Sequence, residues 1–119
     1  MRRAFAYEAV LTMDPDADVQ APGAAVTQAL CGHWEHQPPC PLAPHHNSVE
    51  RDGDRLRLRV LFVTEPEMEV VVHQRINEAL SSGRLHGPAG VTTRWNLNSG
   101  HASEVTAPEE ILAGRLENC

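Results

Sequence analysis

A chain of 119 residues with 41% hydrophobic and 22% charged residues has single-domain size and ordinary globular composition, which excludes wholesale disorder, collagen and coiled coil. Sixteen acidic residues outweigh ten basic ones, all of them arginine, for a net charge of −6, so neither nucleic acid nor an anionic membrane is an expected partner. No apolar run approaches the roughly 20 residues that span a bilayer. The basic start at Arg2-Arg3 is followed by Glu8 and Asp14, which interrupt any signal-peptide core, so the expected location is the cytoplasm. There, Cys31, Cys40 and Cys119 are expected to be free thiols or metal ligands rather than a disulfide framework.

Two Phe, two Trp and one Tyr leave the core to Val, Leu and Ala. Phe5 to Met13 places its larger side chains on alternate positions, the period of a half-buried strand. Asp14 to Gly23 reads as a loop closed by Pro22-Gly23. Ala24 to Glu35 fits both periods. Val26, Ala29 and Leu30 share a helix face, whereas Val26, Leu30 and Trp34 share a strand parity, and the short span before Gly32 favours the strand. Gln37 to His46 carries four prolines and reads as irregular loop. Ser48–Arg51 and Asp54–Val63 flank Asp52-Gly53, which predicts a type I′ hairpin. Thr64 and Glu67 suggest a capping box, Pro66 a first helical turn and Gly83 a left-handed stop. The helix Pro66–Ser82 would bury Met68, Val72, Ile76, Ala79 and Leu80. Val91 to Leu97 alternates as a strand, and Pro108 to Leu116 fits a short terminal helix.

These elements predict one α+β domain over residues 1–119. A mostly antiparallel sheet of four or five strands would pack one face on a single main helix. A ferredoxin-like arrangement is the alternative, and follows if Ala24 to Cys31 is helical.

Six of the ten cysteines and histidines, Cys31, His33, His36, Cys40, His45 and His46, fall within the Cys/His/Pro-rich segment 31–46. Thiolate and neutral imidazole are the ligands zinc prefers, and a tetrahedral site needs four of them. The prolines between them reduce the entropy lost when ligands converge. Cys31 and His33 share a parity on the strand reading, and Cys40 with His45 would complete two sulphurs and two nitrogens. The resulting expectation is a small zinc-binding domain of structural or sensory role, with Cys31, His33, Cys40 and His45 as ligands. The eight residues between the cysteines contain no C-x₂₋₄-C knuckle, and His33-Trp34-Glu35-His36 is not H-E-x-x-H. His33-Trp34-Glu35 with Pro39-Cys40 matches only part of the zinc deaminase signature, since Ala43 stands where its second cysteine belongs. A Cys–His nucleophile pair lacks an orienting third group, so no catalytic motif is recognised. The alternative function is a non-enzymatic, dimeric interaction module that uses the Pro/His-rich loop as its recognition surface.

Arg55, Arg57 and Arg59 alternate with Leu56, Leu58 and Val60, giving one strand an arginine face and a core face. Arg94 would extend that face if its strand lay alongside, but few aromatics are available for stacking nucleic-acid bases. Leu61 and Val63 share the arginine parity. Their exposure on that side predicts a homodimer formed through the sheet.

Overall fold

The computed structural model describes residues 2–31, 43–87 and 90–116, with the Cys31 side chain left out. In chain order these form β1 (Arg3–Met13), α1 (Ala21–Cys31), β2 (His45–Asp52), β3 (Arg55–Thr64), α2 (Glu69–Ser81), β4 (Arg84–His86), β5 (Thr92–Ser103) and α3 (Ala107–Leu116). The five strands make one sheet in the order β2-β3-β1-β5-β4, and every neighbouring pair is antiparallel. The α+β class holds. The connectivity β1-α1-β2-β3-α2-β5, with β3 and β1 in the middle, is the split βαβ pattern of the ferredoxin-like alternative, to which β4 is added at the edge beyond β5.

The strand expected over Ala24 to Glu35 is instead α1. Ala21, Ala25, Val26 and Leu30, at spacings of four and five, are buried, so a helix aims all of them at the core whereas a strand would split them by parity. Pro22 sits in the first turn, where its missing N–H removes no helical hydrogen bond. The single-helix picture is corrected with it. Both α1 and α2 contribute to the same buried cluster, α2 through Val72, Ile76 and Leu80, against Tyr7, Ala9, Leu11, Leu56, Leu58, Val60 and Phe62 of the sheet.

Other boundaries shift for local reasons. In the β2–β3 hairpin Asp52 pairs with Arg55, which leaves Gly53-Asp54 as the loop. Gly53 has φ of 63° and no described non-glycine residue has positive φ. A positive φ at the first central position only is the signature of a II′ turn, not the expected I′. Thr64 is the last, buried residue of β3 rather than a helix cap. A 3-10 turn over Pro66–Met68 leads into α2 without a side-chain cap from Glu65. Gly83 adopts the expected left-handed conformation, φ 71°, and its carbonyl accepts the Trp95 N–H at 2.9 Å. The strand Val91 to Leu97 runs on to Ser103, because the polar Ser99–Ser103 stretch continues to pair with β1 up to Ala6. A register shift between Val10 and Leu11 leaves Asn98 as the extra residue.

The capping box lies at α3. The Thr106 N–H donates to Glu109 Oε1 at 2.9 Å, and the Glu109 N–H donates to Thr106 Oγ1 at 3.4 Å. This helix lies on the opposite sheet face, where Ala113, with Leu112 and Leu116, packs on Leu61 and Val63. Those two side chains are 2% and 1% exposed. Their own chain covers the apolar surface on which the homodimer expectation rested.

Candidate functional site

His45 is the one predicted zinc ligand whose side chain is described. His33 and Cys40 lie outside the described residues, as does the Cys31 side chain. In the ring of His45, Nδ1 lies 3.2 Å from the Ala43 carbonyl and Nε2 2.9 Å from Thr27 Oγ1. A carbonyl only accepts, so Nδ1 carries the proton and, in the neutral ring, Nε2 accepts from the Thr27 hydroxyl. Asn47 Nδ2 donates to the same hydroxyl oxygen at 3.3 Å and to the Gly23 carbonyl at 3.0 Å. This network ties α1 to the edge strand β2. Among the described residues no group of three or more His, Cys, Asp or Glu side chains could hold a metal. That finding overturns the reading of the protein as a small zinc domain. The alternative, a loop-based dimeric module, gains no support either, since residues 32–42 of its loop are outside the described ones.

The arginine face of β3 is present, and two of its three charges, those of Arg57 and Arg59, are answered locally. Arg59 Nε donates to Glu109 Oε2 at 2.7 Å, and one terminal nitrogen donates to Oε1 at 2.8 Å, a bidentate pair. The other terminal nitrogen donates to Ser103 Oγ at 2.9 Å, and the Glu104 carbonyl accepts a further bond. The Arg59 guanidinium holds the Glu109 carboxyl at a pKa of about 2, and the same hydrogen bond raises the Arg59 value. Arg57 pairs with the exposed Glu50 at 3.4 Å. Arg94 does not extend this face. Its strand is separated from β3 by β1.

On the core side, Tyr7 Oη donates to Asn77 Oδ1 at 3.2 Å, and burial raises its pKa. His73 packs edge-on against Phe62 and bonds Glu69 through Nε2 at 3.1 Å. These contacts fix α2 on the sheet.

The β4–β5 hairpin is different. Arg84 stands directly opposite Arg94, and His86 opposite Thr92, so alternation puts all four side chains on one face. His86 Nδ1 lies 3.0 Å from Thr92 Oγ1. Among the described residues neither arginine forms an ion pair or a side-chain hydrogen bond. Like charges directly opposite one another in a sheet are destabilising. In a chain with six excess negative charges, such a pair without a partner is chemically conspicuous. It lines a groove of about 450 Å³ with Gln28, Ser82, Leu85, His86 and Thr92. Arg94 and Ser82 also line a second groove, of about 530 Å³, with Ser81, Gly83, Trp95, Asn96 and Leu97. Trp95 anchors the wall between sheet and helix by donating its indole N–H to the Leu80 carbonyl at 2.9 Å.

No protein-family profile, curated protein or solved structure matches the chain. Sequence reasoning placed Arg94 on a strand but missed Arg84. The available signal was Arg84-Leu85-His86 between Gly83 and Gly87, a three-residue alternation too short to separate from loop.

Proposed function

We propose that the protein is a binding domain for an anionic ligand, held by Arg84 and Arg94 on the exposed face of the β4–β5 hairpin. The observation that carries this reading is the cross-strand register of the two arginines, with no acidic partner among the described residues. A carboxylate or phosphoryl oxygen between them would replace a repulsive pair with charge-assisted hydrogen bonds, for which the planar guanidinium fork is suited. His86 and Ser82 add polar groups at the rim of the groove. The net charge of −6 opposes loose, non-specific attraction of anions, so binding depends on this local arrangement.

Titration with acetate and with inorganic phosphate, followed by amide NMR at constant ionic strength with chloride as the reference, tests the proposal. Saturable shifts confined to Arg84–His86 and Thr92–Asn96, with a dissociation constant on the order of 1–10 mM, are expected. Both Arg84→Gln and Arg94→Gln should weaken them. Shifts no larger than those given by chloride, or shifts unchanged in both variants, would overturn it.

A further inference from the structure

The strand that carries Arg94 also has an open edge. β4 pairs with β5 only from Thr92 to Arg94, and the Gly83 carbonyl takes the Trp95 N–H. Beyond that point β5 runs on to Ser103 with β1 on one side, and no described strand lies on the other. This stretch, Asn96-Leu97-Asn98-Ser99-Gly100-His101-Ala102-Ser103, contains no Asp, Glu, Lys, Arg or Pro. Exposed edges are normally blunted by such residues or by bulges, and the Asn98 bulge is the one such device in this stretch. The opposite edge of the sheet, β2, does carry Glu50, Arg51 and Asp52. The groove with Arg94, Ser81, Ser82 and Gly83 in its wall sits where the β5 edge opens.

Resting on the anion-binding reading, we infer that the ligand is the extended C-terminal segment of a protein, added as a strand to β5 with its terminal carboxylate at Arg94 and Arg84. The direction of the added strand follows from charge. β4 descends as β5 ascends, since Arg84, Leu85 and His86 meet Arg94, Thr93 and Thr92 in turn. A segment antiparallel to β5 on the line of β4 would run from beside Ser103 towards Asn96 and end at Ser82-Gly83, bringing a carboxylate to the arginines. The parallel sense would bring an ammonium group there instead. Main-chain hydrogen bonds would supply affinity and the carboxylate the end-register. Pairing is expected on both sides of the Asn98 bulge, where the strand bends.

The test uses the full chain on an array of eight-residue peptides of varied sequence, tethered by their N-termini and ending in free carboxylates, beside the same array amidated. Peptides should be retained in the free-acid form and lose about tenfold or more in affinity on amidation. Arg94→Gln should abolish the difference between the two forms. Hydrogen exchange with a retained peptide should show slowed amides within Asn96–Ser103. If acetate and phosphate bind at Arg84 and Arg94 but no free-acid peptide is retained, or the β5 amides are unprotected, the peptide inference falls and the anion reading stands. Equal retention of amidated peptides overturns the carboxylate assignment. If neither the small anions nor the peptides bind, both fall.

Discussion

Arg59, on an interior strand, donates four hydrogen bonds to Glu109, Ser103 and Glu104, whereas Arg84 and Arg94, on the peripheral hairpin, donate none from their side chains among the described residues. The same guanidinium therefore serves two ends. Over the middle of the sheet it clasps α3 onto the face holding Leu61 and Val63, and its charge is consumed by the carboxylate it holds. On the hairpin the charges oppose each other across the register and remain available to something from outside. The difference teaches that the neighbours within bonding distance, not the arginine count of a strand, decide whether a cationic face is structural or receptive.

The largest expected effect comes from breaking the structural member. Arg59→Ala leaves Glu109 a partly buried carboxylate without its fork, and should cost about 3 kcal/mol, read as a fall in Tm of roughly 10 °C or more for a chain of this size. Acid should do the same gradually. The folded pKa of Glu109, about 2, lies below its ordinary value of 4.5, so its contribution is complete above that ordinary value and is lost as pH falls from there towards 2. Thermal melts between pH 5 and pH 2 should show this acid limb in the parent and a shallower one in Glu109→Gln.

Gly100→Ala should rank next. A Cβ there would lie 2.0 Å from the Tyr7 hydroxyl, so the ring must move and its bond to Asn77 is lost, at about 2 kcal/mol by chemical denaturation. Thr106→Ala removes one half of the α3 capping box and should cost about 1 kcal/mol, without altering anion binding. The smallest effect falls on the receptive pair. Arg84→Gln should leave stability unchanged or raise it by a few tenths of a kcal/mol, because it relieves a like-charge cross-strand contact. If it destabilises by as much as Arg59→Ala, the two sets of arginines are not distinct in role.

Sequence alone determined the period of β1 and β3, the buried stripe Val72-Ile76-Leu80 of α2, the left-handed stop at Gly83 and the α+β class, because each follows from side-chain spacing or backbone sterics within one element. It also marked the arginine parity of β3. The tertiary structure decided what those features meant. Ala24 to Cys31 satisfies two periods at once, and only packing of Val26 and Leu30 into the core shared with α2 made it helical. Leu61 and Val63 lay on the polar parity of their strand, and a helix fifty residues further along covers them. The concentration of histidine and cysteine over 31–46 suggested convergence, but convergence is a property of long-range geometry, and His45 turns its ring nitrogens to Thr27 and Ala43. Likewise Arg84 and Arg94, ten positions apart, become neighbours only through the β4–β5 register. Local patterns encode which way a side chain points along its own element, whereas the partner it meets depends on contacts between elements distant in the chain.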